Sequence, residues 1–347
     1  MRMKSLLKDV NDSEKLLNGR EAHIGTCVAM EYYQHCPFFF TREGASLDIM
    51  GQYRGASAFL IASGPSFNEL NKDLLKTPGV WAMTLNNAVA GHRGNAACVV
   101  DDPNRFTMSL WLDPGIQKFV PMGSFEKPLW DNRLITHPNG QVEQKWEPSN
   151  IKVGDCPNII GYRRNEKFVS GRFLYEDTIN WGCHKDFGGG RSVMLASLRI
   201  LFLLGFRKVY LLGVDFDMSD DKKYHFEEDR SKGAINGNMT TYERLKQWFV
   251  ELQPIFLNEG FVVKNCNPNS KLTAFPHIPF KDAIYEATGH IGNPKDEKTK
   301  GMYVKIEDKM ASIQAQHIIP PSSNLVRPVC GQNVVVNPGN LGTVTPS

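Results

Sequence analysis

Short apolar runs separated by polar turns recur along this chain and predict an open α/β sheet. The runs at 58–62, 80–85 and 96–100 have the length and composition of short buried strands. A longer apolar run at Val193–Leu204 predicts a helix, and the run at 208–216 predicts a further strand. Strands in this order, joined by helix-like segments, are typical of a parallel sheet with helices packed on it.

The turn at 63–67 follows the first of these strands and leads into a helix-like segment at 68–75. Gly64 gives the backbone a tight path there, and Ser66 with Glu69 three residues later has the spacing of a capping box. A strand, a tight turn and a helix in this order form a unit whose helix N-terminus can face a ligand.

A second turn, the Gly-Gly-Gly-Arg-Ser sequence at 188–192, runs directly into the helix predicted at Val193–Leu204. Glycines let the backbone approach a ligand closely, and the unpaired N–H groups of a helix N-terminus attract phosphate. This pattern favours a nucleotide or a nucleotide-sugar as the ligand. The alternative is that the three glycines form only a flexible connection.

Polar residues end three of the predicted strands: Asn86 and Asn87, Asp101 and Asp102, and Asp215 with Asp217. In open α/β sheets, ligands bind in the crevice outside the carboxyl ends of the strands. Asp215 and Asp217 also have the Asp-x-Asp spacing with which two carboxylates can hold one Mg²⁺ or Mn²⁺ ion. The alternative is a plain alternation in which Phe216 is the buried residue between two exposed ones.

Several of these segments together resemble one enzyme family. In chain order they are residues 53–55, 60–66, Asn86 with Asn87, 212–216 and 267–270. They resemble the bacterial lipooligosaccharide sialyltransferases, and a broader set that contains 6-hydroxymethylpterin diphosphokinases and uncharacterised enzymes, some of them encoded by phages. The resemblance covers residues 53–280. It implies a Rossmann-like, mostly parallel sheet of the GT-A variant type with flanking helices.

The resemblance also implies which residues hold the donor nucleotide. The implied donor-binding residues, taken with the glycine-rich turn, are Gly64, Pro65, Ser66, Asn86, Asn87, Gly189, Gly190, Arg191, Ser192 and Tyr224. Two departures from the family argue against a sialyl donor. Asp217 stands where the family has a phosphate-binding tyrosine, and the segment 238–243 lacks the histidine that acts as the family's base.

Glycosyl transfer needs a group that deprotonates the acceptor hydroxyl and a counter-charge for the leaving phosphate. His225 is the predicted base because it adjoins Tyr224 and follows the strand end at Asp215, although a lone histidine is often only solvated. Asp102 and Asp215 are the alternative bases. The arginines that could neutralise phosphate are Arg163, Arg164, Arg172 and Arg191.

These features predict a glycosyltransferase that moves a sugar from a nucleotide-sugar to an acceptor hydroxyl, on a glycan or on a modified base in DNA. The alternative is a Mg²⁺-dependent diphosphokinase that acts on a pterin-like alcohol with ATP, with the phosphates bridged through Asp101, Asp102 or Asp215. A fold retained only as a binding module is the third interpretation.

The composition bounds the organisation of the chain. With 347 residues, 41% of them hydrophobic, it can bury one large α/β core or two small ones, and the resemblance favours one. We predict an N-terminal extension at 1–52, a nucleotide-binding catalytic domain at 53–285, and a C-terminal extension or arm at 286–347. A proline-rich insertion at 104–180 is predicted to hold the acceptor. The C-terminal extension is predicted either to pack on the body or on a neighbouring subunit, or to be disordered, and the terminal extensions are the predicted contacts of a homo-oligomer.

Charge and targeting signals add little. A net charge of +3 neither identifies nor rules out a nucleic-acid partner. No apolar run approaches the about 20 residues of a membrane span, and the first residues lack a hydrophobic signal region, so we expect a cytoplasmic protein. The seven cysteines are scattered without zinc-ligand spacing and are expected to be free thiols.

Overall fold

The computed structural model describes residues 38–162, 192–218, 224–228, 232–292 and 294–316. The strands are β1 (Phe39–Phe40), β2 (Ser57–Ile61), β3 (Ala82–Leu85), β4 (Ala96–Cys98), β5 (Gln117–Pro121), β6 (Pro128–Thr136), β7 (Val142–Lys152), β8 (Ile159–Tyr162), β9 (Lys208–Leu212) and β10 (Val262–Asn265). The α-helices are α1 (Met108–Leu112), α2 (Val193–Leu204), α3 (Lys232–Asn258), α4 (Phe280–Thr288) and α5 (Ile306–Gln316).

Eight of these strands form one sheet in the order β1-β8-β5-β4-β3-β2-β9-β10. All neighbours in it are parallel except β1, which pairs antiparallel with β8. The predicted mostly parallel α/β sheet with flanking helices is therefore confirmed. From β2 the chain adds strands outward on one side and then returns through α2 to place β9 on the other side of β2. The order thus reverses between β2 and β9, which makes the crevice there a topological switch point.

Hydrophobic side chains pack on both faces of the sheet. On one face, α2 and α3 bury Leu60 and Leu211 together with Phe249. On the other face, α4 packs on Phe59 and Tyr210. Alternate residues of β2 and β9 thus point to opposite layers, as expected of strands that are covered on both sides.

Helix α2 has the bounds that the apolar run predicts. Ser192 is its N-cap, and the Ser192 side chain accepts a hydrogen bond from the Met194 N–H at 3.2 Å. Gly205 ends the helix in the left-handed conformation, with φ of +104°. Every residue from Met194 to Leu204 is buried, which explains why the helix, apart from Ser197 and Arg199, is apolar on all sides rather than amphipathic.

Two local predictions are wrong. The segment at 68–75 is not one helix, because two short 3-10 helices, Pro65–Glu69 and Lys72–Lys76, occupy this region. Ser66 is not an N-cap either, since the first of these helices begins after Gly64 and has no side-chain cap. The Ser66 hydroxyl instead donates to the carboxylate of Asp215, which a local sequence pattern does not reveal.

The region at 104–180 lies only partly outside the sheet. Its strands β5 and β8 belong to the main sheet, whereas β6 and β7 form a separate antiparallel hairpin. The expectation of an insertion beside the sheet therefore applies to the hairpin alone, and residues 163–180 lie outside the described ranges. Short strands that contain or follow a proline are easily mistaken for loops.

The chain divides into two compact units, 1–294 and 295–347. In the first unit, Phe38, Phe39 and Phe40 of the predicted N-terminal extension are buried in the sheet core, while residues 1–37 lie outside the described ranges. In the second unit, the described residues contain α5, and 317–347 lie outside the description. None of the helices in the described ranges is long and apolar enough to cross a membrane.

Candidate functional site

A cavity of about 530 Å³ opens at the carboxyl ends of β2, β3 and β9, at the switch point of the sheet. A volume of this size is typical of small-molecule and cofactor sites. Its lining brings together several of the predicted residues: Gly64, Pro65, Asn86, Asn87, Ser192, Asp215, Asp217 and Tyr224. It also contains Arg105, Glu228 and Asn238, which are absent from the predicted set, and Asp101, which was predicted only as a Mg²⁺-bridging residue of the diphosphokinase alternative. We call this cavity the cleft.

Asp215 is a buried carboxylate of the cleft, only 6% exposed, and it accepts several hydrogen bonds. Its Oδ2 accepts the Ser66 N–H at 3.1 Å, and its Oδ1 accepts the Asn267 Nδ2 at 2.6 Å and the Ser66 hydroxyl. The Asp215 carbonyl also accepts the Lys271 N–H at 2.9 Å. Asp215 therefore fastens the turn after β2 and the loop after β10 to the end of β9.

This close fit depends on Gly64. A Cβ at this position would lie 2.5 Å from Asp215 Oδ2 and 2.5 Å from the Gly213 carbonyl oxygen. The Gly64 N–H donates to the same Gly213 carbonyl at 2.8 Å. The predicted strand at 208–216 ends at Leu212, where Gly213 follows with φ of +64°, and Phe216, with φ of +54°, turns the backbone again after Asp215. Positive φ is uncommon for a bulky residue and often accompanies a functional site.

The asparagine pair ties the ends of β3 and β4 together. Asn86, with φ of +47°, accepts the Val100 N–H at 3.1 Å and donates through Nδ2 to Asp101 Oδ2 at 3.0 Å. Asn87 donates to the Arg105 carbonyl at 3.0 Å. The side-chain amide of Asn86 thus orients both Asp101 and the backbone at Val100. The Asp101 side chain itself is exposed at the cleft.

Arg105 supplies positive charge to the cleft. It is exposed, and its guanidinium has no ion-pair partner among the residues that the structure describes. An unpaired guanidinium in a polar cleft is suited to bind a phosphate or carboxylate through two parallel hydrogen bonds. The N-terminus of α2 is the second positive feature, because Ser192, Val193 and Met194 all line the cleft. Of the predicted glycine-rich turn, Gly189, Gly190 and Arg191 lie outside the described ranges, as do Arg163, Arg164 and Arg172.

His225 is packed away from the cleft, although its neighbours Tyr224 and Phe226 line it. Its ring lies 4.8 Å from the Phe67 ring and 5.0 Å from the Phe226 ring, measured between centroids, and also touches Gly91. Burial, together with the nearby Lys72 ammonium, lowers the pKa of His225 to about 4. The ring nitrogens make no hydrogen bond of good geometry with described residues, although nearby backbone carbonyls slightly favour the protonated form. This placement argues against His225 as the base.

Asp102 is the second candidate base that the structure places outside the cleft lining. It caps the short helix at Pro103–Arg105 and pairs with Lys127 at 3.2 Å. Slight burial raises its pKa, but hydrogen bonds from the Asn104 amide and Lys127 outweigh this and hold the pKa below the usual value. Its role is therefore to anchor the segment before β6.

The Asp-x-Asp residues do not form a matched pair of metal ligands. Asp215 already accepts three hydrogen bonds from Ser66 and Asn267, whereas Asp217 pairs with Lys271 at 3.2 Å. Within the described ranges, no group of three or more His, Cys, Asp or Glu side chains could hold a metal ion. These side chains therefore do not fit the predicted Mg²⁺ or Mn²⁺ ion between Asp215 and Asp217.

The sequence analysis did not single out Asp101 as a base of the transfer, Asn267 as a partner of Asp215, or the cleft residues Arg105, Glu228 and Asn238. The sequence held a signal for the first two. Asp101 stands in the same strand-end pair as Asp102, but the sequence does not show which carboxylate turns toward the cleft. Asn267 lies in the 267–270 segment, which contributes to the resemblance but does not by itself indicate a contact with Asp215. Arg105 had no signal, because an arginine in a polar loop is usually only solvated.

Comparisons with known proteins give only a weak structural similarity. No family model and no curated protein matches the sequence. The chain is similar to a crystal structure of a mammalian sialyltransferase in complex with Gal-beta-1-3GalNAc-ortho-nitrophenol, with a TM-score of 0.31 and 14% identity over 69% of this chain and 83% of that chain. A second crystal structure of a mammalian sialyltransferase matches with a TM-score of 0.29 and 15% identity, over 69% of this chain and 82% of that chain.

Such low TM-scores carry no argument about fold or activity. The bacterial and phage family suggested by the sequence motifs stays a prediction. Function is decided by the side chains of the cleft, since one fold serves many reactions.

Proposed function

We propose that this protein is a transferase that moves a sugar from a nucleotide-sugar to an acceptor hydroxyl in the cleft, on a nucleotide-binding sheet of the GT-A variant type. The observation that carries the proposal is the position of the cleft. It lies at the switch point of a parallel sheet, and the N-terminus of the buried helix α2 opens into it. This is where open α/β sheets bind nucleotides.

The two positive features of the cleft suit the donor phosphate. The N–H groups at the start of α2 and the Arg105 guanidinium can share the charge that develops on the leaving phosphate. The backbone of the Gly64–Pro65 turn lies open to the cleft, so that a ligand can approach closely. Asp215 then acts as a positioning residue, because its hydrogen bonds to Ser66 hold this turn in place.

Asp101 is the base that the geometry favours. It is an exposed carboxylate in the cleft lining, and the Asn86 amide orients it from one side. In the reaction, the acceptor hydroxyl gives its proton to Asp101 while its oxygen forms the new bond to the anomeric carbon. The bond from that carbon to the phosphate oxygen breaks, and the nucleotide leaves with the electron pair.

A panel of CMP-, UDP- and GDP-sugars tests the proposal. At least one of them should raise the melting temperature of the protein and be consumed slowly with water as the acceptor. No melting shift and no consumption with any member would overturn it. Magnesium-dependent release of AMP from ATP, in place of nucleotide-sugar turnover, would instead establish the diphosphokinase alternative.

A further inference from the structure

The hairpin β6–β7 has two faces of different chemistry. Pairing places Asn132 opposite Trp146, Leu134 opposite Gln144 and Thr136 opposite Val142. Residues directly opposite each other share a face, and the faces alternate along each strand. We call the face that carries these side chains, together with Trp130 and Pro148, the tryptophan face.

The opposite face carries the charges of the hairpin. It presents Asp131, Arg133, Glu143, Lys145 and Glu147. Glu147 pairs with Arg133 at 3.4 Å and with Lys145 at 3.2 Å, and Glu143 pairs with His137 at 2.9 Å. This is the arrangement of an ordinary solvated surface, in which both signs of charge are interspersed.

The tryptophan face has no charged side chain, yet it lies open to solvent. Leu134 is 71% exposed, Val142 is 61% exposed and Trp146 is 45% exposed. The rings of Trp130 and Trp146 are stacked on one another, with centroids 6.4 Å apart and planes 27° apart. Large apolar side chains gathered on one exposed face mark a binding surface rather than scattered surface residues.

The hairpin begins at the rim of the cleft. Strand β6 packs against the Pro103–Arg105 turn, and Arg105 lines the cleft. Lys127, directly before β6, pairs with Asp102 in the same region at 3.2 Å. A chain molecule bound along the hairpin can therefore continue toward the residues proposed to act on it.

We infer that the tryptophan face binds a neutral glycan chain, which is the acceptor of the proposed transfer. The C–H groups on one side of a sugar ring pack against the electron-rich face of an indole. The amides of Asn132 and Gln144 can both donate to and accept from sugar hydroxyls. Because the face carries no cation, a polyanion gains no charge pairing there, whereas single-stranded nucleic acid is bound in positively charged grooves.

Calorimetric titration with short neutral oligosaccharides of galactose, glucose and N-acetylglucosamine, without any nucleotide-sugar, tests the inference on the full chain. At least one oligosaccharide should bind. Trp146→Ala should weaken this binding by about tenfold, because a stacking ring is lost. Trp146→Phe, which keeps a ring, should restore most of the affinity. Melting curves of the variants should match the wild type, since Trp146 is exposed.

Arg133→Ala and Lys145→Ala, on the opposite face of the same hairpin, are the matched controls and should change the dissociation constant by less than about twofold. The inference is overturned by any of three results: no oligosaccharide binds; single-stranded DNA binds instead, with an affinity that falls with salt; or the face joins two copies into a dimer that Trp146→Ala dissociates.

The biological meaning of this inference rests on the proposed transferase activity, but the inference and the proposed function fail separately. Oligosaccharide binding without turnover of any nucleotide-sugar refutes only the transferase, and turnover without oligosaccharide binding refutes only this inference.

Discussion

The two sides of the cleft use similar polar side chains in opposite ways. On the β9 side, Asp215 is 6% exposed and accepts hydrogen bonds from Ser66 and Asn267. On the β3–β4 side, Asp101 is exposed and is oriented by the single amide of Asn86. The difference teaches that a carboxylate at a strand end is structural when its lone pairs are filled, and available for chemistry when they are not.

We call the β3–β4 side with Asp101 the open side of the cleft, and the β9 side with Asp215 the closed side. The largest expected effect is on turnover, from the open side. Asp101→Asn keeps the shape and the hydrogen bond but removes the base, so we expect the rate with the best nucleotide-sugar and acceptor to fall by about 10²- to 10⁴-fold. Donor affinity should stay close to that of the wild type, because a base acts as the transition state forms. Steady-state kinetics beside a calorimetric titration measure both quantities. Wild-type turnover in Asp101→Asn would move the base to another residue, with Glu228 the next carboxylate in the cleft lining.

On the closed side, a substitution should change the free energy of unfolding and not only the rate of the reaction. Asp215→Ala leaves the Ser66 and Asn267 donors without their partner, so we expect the free energy of unfolding to fall by about 3 to 5 kcal/mol. Asp101→Ala is the matched control and should cost less than about 1 kcal/mol, since that carboxylate is exposed. Urea unfolding of both variants measures the difference. Equal losses would contradict the division of the cleft into a closed and an open side.

The histidine behind the closed side should make stability depend on pH. His225 has a pKa of about 4 in the folded protein against 6.5 when exposed, so the unfolded chain binds more protons in this window. Stability is therefore full above pH 6.5 and falls as the pH decreases toward 4, by at most about 3 kcal/mol. His225→Leu should flatten this part of the curve. Burial and Lys72 also lower the pKa of His92, so this histidine contributes to the pH dependence with the same sign. A curve for His92→Asn, measured beside the others, separates its contribution from that of His225. Parallel curves for wild type and His225→Leu would show that the ring is not buried in its neutral form.

A smaller effect is expected from a single methyl group at Gly64. The Cβ of Gly64→Ala would lie 2.5 Å from Asp215 Oδ2, so the turn must shift, with a loss of about 1 to 3 kcal/mol. Gly123→Ala is the matched control, because nothing lies within 4 Å of a Cβ at that position. Thermal unfolding of the two variants distinguishes close packing at Gly64 from a general effect of alanine. A Gly64→Ala protein as stable as the control would mean that the turn is looser than the structure shows.

The sequence predicts elements well where the signal is local. Helix α2 was found with its bounds because an apolar run lies between a serine cap and Gly205. The predicted strand 208–216 is longer than the observed strand, which ends at Leu212. The pattern of apolar residues does not show that Gly213 and Phe216 have positive φ. Prolines surround β5 and β8, so the sequence predicts an irregular insertion where the structure has two strands of the main sheet.

The site was harder to predict because its residues meet through tertiary contacts. Ser66 and Asp215 lie 149 positions apart, so the hydroxyl that the pattern assigns to a helix cap is in fact used elsewhere. Neighbouring aspartates at 101 and 102 look alike in sequence, yet only Asp101 lines the cleft. The burial of His225 is also not visible in the sequence, because it depends on Phe67 and Gly91 in distant parts of the chain.

Hydrogen–deuterium exchange with and without the nucleotide-sugar that gives the largest melting shift tests the central claim most directly. The claim is that the donor binds at the switch point, with its phosphate at the N-terminus of α2. We predict slower exchange of the amides at 63–66, at Asn86 and Asn87, and at Val193 and Met194, with no change in the hairpin β6–β7 when the acceptor is absent. Unchanged exchange in these three segments at saturating nucleotide-sugar, or protection confined to another part of the chain, would contradict it.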